Sequence, residues 1–346
     1  GVNKGLIAEN NLPYAVLDGF FNSYHAYPSI WITDEDGKLA YGGIRPEMKD
    51  ALADLQKLYA EGVIDPEFGV KDAVKVSENV NAGKVGMFYG YFWNCSSGWL
   101  QDGKMNDPSI DWIAVPILSI DDEPAKAMVP FATTYYTVVS KDCANPEAAV
   151  KMYNLVLEKM FGETAQPEVY NSTPENLAVF NYAYSYGEPP MKNLDAQQAV
   201  VAALESGDAS GLSAEQKNYY DNCVAYEESG DLALWGNYMM YGPDGGLGVI
   251  NEYVSSGNVV TDNYFGAPTD GMAEKNATLQ KLQLETFTKI ITGSADVDEF
   301  DTYVENWKSL GGQQITDEVN EWLAQRKTKS GEGRRIVSPR FFQVMI

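Results

Sequence analysis

The chain has 346 residues, of which 45% are hydrophobic and 21% charged, so it can bury a full core and its length suggests two domains. Its 49 acidic and 25 basic residues give a formal charge of −24, which argues against binding to nucleic acid or to an anionic membrane surface. With one histidine, His25, and three widely spaced cysteines, the sequence offers no Cys/His metal cluster and no nucleophile–histidine motif, and we expect no metal and no cofactor.

The first predicted elements in chain order are a β-hairpin and an amphipathic helix. An Asp-rich turn that ends at Gly37 joins two short strands, because glycine readily adopts the positive φ angle that such a turn needs. Pro46 suits the first position of a helix, and apolar residues then recur at helical spacing from Met48 to Leu58. Gly62 is expected to end this helix.

A second helix and three strands are predicted next. The helix covers about residues 72–82 and is closed by Gly83, and a strand at 85–89 begins directly after it. Two further short runs that are rich in β-branched and aromatic residues predict strands at 112–116 and 135–139. Strands and helices therefore alternate through the first half of the chain.

The second half of the chain is predicted to be mostly helical. Asn145-Pro146-Glu147 combines a capping side chain, a first-turn proline and an acid at the positive helix end. The face of this helix that we expect to be buried consists of Ala149, Met152, Tyr153, Val156 and Met160. The later predicted helices are those at 195–206, 213–228 and 273–293, one that starts at Asp296, and a last one capped by Thr316. Strands alternating with helices, followed by a helical cluster, predict an α/β protein.

Several motifs follow one another in a characteristic order. The most specific is Gly83-Lys84-Val85-Gly86-Met87 running into Gly90-Tyr91-Phe92-Trp93-Asn94. An aromatic segment at 19–28 precedes it, and the motifs that follow it are Trp235-Gly236-Asn237-Tyr238 and Phe265-Gly266-Ala267-Pro268-Thr269. Together they resemble family 1 of the extracellular solute-binding proteins, the receptors of carbohydrate importers of the ATP-binding-cassette (ABC) type, and especially its lipoprotein branch in Gram-positive bacteria. The resemblance extends to Arg326.

This resemblance implies a periplasmic-binding-protein-like, two-lobe α/β fold of type II. Residues 1–130 and 263–326 would form the C-terminal-type lobe, nearly complete and carrying the ligand-binding face. Residues 131–262 would form the remainder of the N-terminal-type lobe with an insertion, so that this lobe is partial. Residues 327–346 form a basic tail that we expect to be disordered or foreign to the domain. Since the chain starts at Gly1 without a signal peptide, we expect it to be N-terminally truncated.

The resemblance also implies which residues contact the ligand. A sugar presents C–H patches that stack on aromatic rings and hydroxyl groups that need polar partners, because a desolvated unpaired polar group costs about 1–3 kcal/mol. Trp93 and Asn94 follow a strand and should lie at its carboxyl end, where α/β proteins hold ligands. For Trp93, the first candidate for stacking, the alternative is a buried core tryptophan. For the other aromatic candidates the alternative is core packing, and for the acidic one an exposed loop. These other candidates are Tyr91, Phe21, Tyr24, Trp235, Tyr238 and Asp270.

By resemblance, the protein captures an oligosaccharide or other carbohydrate outside the cell by lobe closure and delivers it to the permease subunits of an ABC transporter in the membrane. We expect a monomeric, non-enzymatic receptor whose full-length form is anchored as a lipoprotein to the outer face of the cell membrane. Two alternatives stay open. A secreted glycoside hydrolase would need two carboxylates facing each other across a cleft. A receptor for a non-sugar solute such as a peptide would need a charged anchor, of which the sequence shows no sign.

Overall fold

The computed structural model describes residues 4–6, 17–96, 98–131, 136–171, 179–183 and 187–331. By their internal contacts the residues group into two compact units. Unit 1 comprises Gly1–Phe131 and Asp244–Val337, and unit 2 comprises Ala132–Pro243 and Ser338–Ile346. Before residue 331, the last described residue, the chain thus passes from one unit to the other at Phe131/Ala132 and again at Pro243/Asp244.

Helices make up most of the regular structure in the described residues. In unit 1 they are α1 (Asp18–Ser23), α2 (Glu47–Ala60), α3 (Ala73–Asn81) and α4 (Leu100–Asn106). In unit 2 they are α5 (Glu147–Phe161), α6 (Pro167–Tyr170), α7 (Lys192–Ser206), α8 (Ala214–Ser229) and α9 (Leu232–Tyr241). Back in unit 1 they are α10 (Gly246–Ser256), α11 (Asp270–Ile291), α12 (Glu299–Trp307) and α13 (Gln313–Gly331). Short 3₁₀ turns occur at Gly42–Ile44, Phe68–Val70, Phe92–Cys95 and Val179–Tyr182, and a π turn at Lys308–Gly312.

The strands are short and pair two by two. They are β1 (Lys4–Leu6), β2 (Trp31–Thr33), β3 (Leu39–Tyr41), β4 (Val85–Met87), β5 (Ala127–Val129) and β6 (Val259–Thr261). β1 pairs in parallel with β4, β2 antiparallel with β3, and β5 in parallel with β6. The parallel pairs join segments far apart in sequence. α10 and β6 belong to unit 1. The predicted lobe boundaries had placed both elements in the second lobe. The assignment of units to lobes itself stays a prediction.

The core of unit 1 is built from the apolar faces of α2, α11 and α12. Phe287 of α11 is fully buried, and its ring centroid lies 5.5 Å from that of Tyr303 and 6.4 Å from that of Phe300 on α12. Leu52 and Leu55 of α2 are fully buried in the same cluster. Each fully buried apolar side chain contributes about 1.5–3 kcal/mol, so this cluster supplies much of the stability of unit 1.

Local sequence signals predicted several of these elements correctly. The hairpin of β2 and β3 forms as expected, with Gly37 at φ 72° in its turn. α2 begins directly after Pro46 and ends at Ala60, two residues before Gly62. α3 is capped by Asp72, whose side chain accepts the Lys75 N–H. These elements depend on capping and turn chemistry that acts over a few residues, which is why the sequence predicts them.

The two strands predicted at 112–116 and 135–139 are wrong over the described residues. Residues 112–116 and 136–139 are irregular, and apolar side chains there are exposed, Ile113 at 74% and Val138 at 88%. The expected buried face of α5 is also wrong in part, since Met160 is buried but Met152 and Tyr153 are exposed. An apolar pattern identifies a face that can be buried, but how far each side chain is buried depends on the neighbours that the fold supplies.

Other differences concern helix ends and short helices. The predictions did not include α1, α4, α6, α9 and α10. Thr316 does not cap the last helix, because α13 begins at Gln313 and the Thr316 hydroxyl donates to the Gly312 carbonyl at 2.8 Å. Gly311, at φ 126°, interrupts the helical geometry between α12 and α13, and the helical path resumes after it. α13 continues to Gly331, so the first residues of the predicted basic tail are helical, and the rest of that tail lies outside the described residues.

α7, α8 and α9 pack together in unit 2 around a polar cluster. Glu215 of α8 accepts hydrogen bonds at one oxygen, Oε1, from the Asn171 amide at 2.8 Å and from the Tyr219 hydroxyl at 2.8 Å. The Lys192 ammonium of α7 donates to the same oxygen at 2.9 Å. The Tyr219 ring stacks on that of Tyr241 of α9, with centroids 3.9 Å apart. One carboxylate therefore ties three segments of unit 2 together.

A buried carboxyl group in unit 1 predicts how stability depends on pH. The Asp262 carboxyl accepts the N–H groups of Trp31 at 3.2 Å and Tyr264 at 2.9 Å, yet burial raises its pKa from 3.8 to about 6. Between about pH 4 and pH 6 the folded protein holds a proton that the unfolded chain has released, so stability falls as pH rises through this range. The slope from this group is at most about 1.4 kcal/mol per pH unit.

We expect Asp262→Asn to reduce that slope, because an amide does not titrate. The measurement is the melting temperature of the wild type and the variant between pH 4 and pH 7. The same slope in both proteins would contradict the role assigned to Asp262.

Candidate functional site

The segment after β4 forms a turn whose shape depends on Asn94. The chain passes from β4 through Gly90 into the 3₁₀ turn Phe92–Cys95. Asn94 is only 5% exposed, and its side-chain oxygen accepts the Tyr91 N–H at 2.6 Å. This hydrogen bond closes the turn from within. Asn94 therefore stabilises the turn, and its amide oxygen already accepts a hydrogen bond from the backbone.

Tyr91 and Trp93 form an exposed aromatic pair on this turn. Their rings stack with centroids 4.3 Å apart and an interplanar angle of 9°. Tyr91 is 45% exposed and Trp93 49% exposed, although large aromatic residues are usually mostly buried. Phe92 supports the pair from the side, with its ring 5.1 Å from that of Trp93 at 82°. The arrangement presents a flat apolar surface to solvent.

Close packing beneath the turn explains the glycine before it. A Cβ atom at Gly90 would lie 2.6 Å from the Phe88 ring and 2.8 Å from the Asn94 side-chain oxygen. Phe88 is in turn held between Trp99 and Trp112, each with its centroid 5.8 Å away. The glycine is thus required by close approach, and the exposed pair rests on a packed aromatic base.

α1 packs against the same segment from within unit 1. A Cβ atom at Gly19 would lie 2.1 Å from the Tyr89 ring, so the helix backbone and this ring are in direct contact. Burial raises the pKa of the Tyr89 hydroxyl to about 12. Further along α1, the Tyr24 hydroxyl donates to Asp54, and burial followed by this hydrogen bond raises the pKa of Tyr24. Its ring stacks on Phe20, with centroids 5.3 Å apart.

Phe21 and Trp235 occupy interior positions, contrary to the predicted ligand contact. Phe21 is 0% exposed and packs against Phe287, with ring centroids 6.0 Å apart. Trp235 lies on α9 of unit 2 and is 2% exposed. The alternative stated for both residues, core packing, is what the structure shows. Large aromatic residues bury so much area that a motif alone does not distinguish a core ring from a ligand-facing one.

Tyr238 and Asp270 are accessible but lie on other elements. Tyr238 is half-buried on α9 of unit 2, and its ring centroid is 4.9 Å from that of Tyr226. Asp270 is exposed at the start of α11, where the next residue, Gly271, donates its N–H to Glu318 of α13 at 3.0 Å. A ligand role for these two residues stays a prediction.

Sequence reasoning missed two side chains beside the aromatic turn. Asp18 opens α1, one residue before the aromatic segment that carried the resemblance, and its carboxyl group is largely buried. Tyr253 of α10 accepts the Ile117 N–H at 2.5 Å and lies close enough to Tyr89 to influence its pKa. The only local signal for Asp18 was an acid in the first turn of a short helix that the sequence patterns did not predict.

The described residues show neither a metal centre nor a membrane span. No group of three or more His, Cys, Asp or Glu side chains among them is placed to hold a metal ion. No helix in these ranges combines the length and the apolar character that crossing a bilayer requires. Of the three free thiols, Cys95 and Cys223 are buried and Cys143 is exposed, and burial raises the pKa of Cys95 to about 11.

Comparison with known proteins identifies relatives along most of the chain. A protein of Niallia circulans encoded in the butB 5′ region is 26% identical over 281 residues, which are 80% of this chain and 99% of that protein. Lipoprotein LipO of Bacillus subtilis is 25% identical over 92% of this chain. The polygalacturonan/rhamnogalacturonan-binding protein YtcQ of the same organism is 23% identical over 93% of this chain. The chain spans 59% of the length of each of the two B. subtilis proteins.

A solved structure shares the fold. The crystal structure of the alginate-binding protein AlgQ2 without calcium ion matches 92% of this chain and 63% of that chain, with a TM-score of 0.57 and 14% sequence identity. This likeness confirms the predicted periplasmic-binding-protein-like, two-lobe α/β class. In addition, residues 10–163 match the model of the family described as bacterial extracellular solute-binding protein. The family match over residues 10–163, the relatives and the shared fold agree with the motif that ends in the Tyr91–Trp93 turn, and this part of the chain is similar to the bacterial extracellular solute-binding proteins.

Proposed function

We propose that this protein is the carbohydrate-binding receptor of an ABC importer and that it captures an oligosaccharide outside the cell. The observation that carries the proposal is the exposed Tyr91–Trp93 pair on its packed base. Aromatic rings bind the C–H faces of sugars, and Tyr and Trp add a polar edge for the hydroxyl groups. Two similar proteins bear names that specify polysaccharides, polygalacturonan/rhamnogalacturonan for YtcQ and alginate for AlgQ2.

The partners and location follow from the same proposal. The bound carbohydrate is delivered to the permease subunits of the transporter, and the receptor itself performs no chemistry on it. In the full-length form it is a monomer anchored as a lipoprotein at the outer face of the cell membrane, which is supported by the extracellular family and by the relative LipO, a lipoprotein. A formal charge of −24 disfavours nucleic acid as a partner. Lobe closure on the ligand stays a prediction.

Calorimetric titration of the intact protein against a panel of oligosaccharides tests the proposal. We expect at least one glycan to bind and to raise the melting temperature, since a ligand that binds only the folded state stabilises it by mass action. The glycan should be recovered unchanged after long incubation. Release of reducing sugar would identify a glycoside hydrolase, and binding of peptides with no glycan bound would identify a receptor of another class; either result contradicts the proposal.

A further inference from the structure

A buried carboxyl oxygen without a partner lies at the start of α1. The Asp18 Oδ1 atom is shielded from solvent and accepts no hydrogen bond within the described residues. Burial raises the pKa of this carboxyl group from 3.8 to about 7. A buried polar atom left without a partner costs free energy, and native proteins keep few of them. We therefore expect Asp18 to have a functional role, because its unpaired burial does not favour folding.

Two other buried carboxylates of unit 1, Asp65 and Asp262, have hydrogen-bond donors, in contrast to the Asp18 Oδ1 atom. Asp65, 6% exposed, receives the Lys71 ammonium at 2.6 Å and the Glu67 N–H at 2.9 Å. Asp262 accepts two backbone N–H groups. The fold of unit 1 thus satisfies these two carboxylates and leaves Asp18 unsatisfied.

The position of Asp18 connects it to the aromatic turn. The next residue, Gly19, is in direct contact with the Tyr89 ring, and Tyr89 lies two residues before Tyr91. The first turn of α1 is consequently adjacent to the segment that carries the Tyr91–Trp93 pair. A sugar stacked on an aromatic ring still presents hydroxyl groups at its edge, and each needs a polar partner when it loses water.

We propose that Asp18 is a ligand-binding residue and that its carboxyl group takes a sugar hydroxyl as the hydrogen-bond partner that the described residues do not supply. This inference rests on the proposed carbohydrate function and names a polar contact beside the aromatic pair. A hydroxyl suits this position in either protonation state, because it donates to a carboxylate and accepts from a carboxylic acid. A uronic-acid carboxylate at the same position would be repelled by an ionised Asp18.

The test compares Asp18→Asn with Asp65→Asn in the intact protein at pH 7. Asp18→Asn is expected to weaken binding of the glycan identified by titration about tenfold, because a hydrogen bond to a charged carboxylate is replaced by a weaker one to a neutral amide. Its melting temperature is expected to equal or exceed that of the wild type by up to about 4 °C, since an amide is cheaper to bury than an unpaired carboxylate. The control Asp65→Asn should show the reverse: a lower melting temperature and unchanged affinity.

The outcomes separate this inference from the proposed function. If the wild type binds no glycan, the proposed function fails. If the wild type binds and Asp18→Asn binds equally well, or loses affinity only together with a fall in melting temperature, the role of Asp18 is overturned while the receptor function stands. Asp18→Ala, which removes both oxygen atoms, is a second variant with the same criteria in case the amide does not fold.

Discussion

A Trp93→Ala variant is expected to lose about ten- to a hundredfold in affinity for the bound glycan, which corresponds to about 1.4–2.8 kcal/mol. The indole ring is the larger half of the exposed pair and supplies most of the apolar surface that a sugar ring could cover there. Truncation of a tryptophan at the centre of a binding surface typically costs about 2 kcal/mol or more. Calorimetric titration with the glycan that the wild type binds measures the effect.

The fold should tolerate this change. Because Trp93 is 49% exposed and its ring packs mainly against Tyr91 and Phe92, we expect the free energy of unfolding to fall by about 1–2 kcal/mol, too little to unfold the protein. Trp93→Phe is the matched variant, since it keeps a flat ring and should retain most of the affinity. If Trp93→Ala bound every glycan as tightly as the wild type, the aromatic turn would not be the binding surface.

The largest expected loss of stability comes from Glu215→Leu in unit 2. This change leaves the Lys192 ammonium without the acceptor it contacts at 2.9 Å, and it also removes the acceptor for Asn171 and Tyr219. The side chains of Lys192 and Glu215 are only 13% and 17% exposed, so solvent replaces little of the lost interaction. We expect the free energy of unfolding to fall by about 3–5 kcal/mol, as measured by urea denaturation.

A double variant shows whether Glu215→Leu loses stability because the Lys192 charge loses its main partner or because packing is lost. Lys192→Met combined with Glu215→Leu should recover much of the loss, because the buried ammonium that the single change leaves with only the longer Glu188 contact, at 3.8 Å, is then absent. Lys217→Gln is the control for an exposed ion pair: Lys217 and Asp221 pair on the surface of α8, and breaking that pair should cost no more than about 1 kcal/mol. A double variant as unstable as Glu215→Leu would assign the effect to packing.

Local sequence chemistry predicted the elements whose causes act within a few residues. The turn at Gly37, the Asp72 cap of α3 and the Ser213–Gln216 capping box of α8 need only neighbouring backbone groups, and each element was predicted. The motif from Gly83 to Asn94 likewise predicted the family, because its glycines are required by backbone geometry: Gly83 has φ 65°, and Gly90 has no room for a Cβ atom.

Which rings face a ligand and which fill the core depends on contacts between distant segments. Phe21 and Trp93 are both aromatic residues in family motifs, yet α11 covers the first and nothing in the described ranges buries the second fully. The lack of a hydrogen-bond partner at Asp18 also depends on such contacts, because folding decides which donors come near a carboxyl group. Residue order and turn chemistry thus suffice for the resemblance to the family and for most helices of the described residues. The exposure of Tyr91 and Trp93, and the unpaired carboxyl oxygen of Asp18, follow from packing that no local pattern encodes.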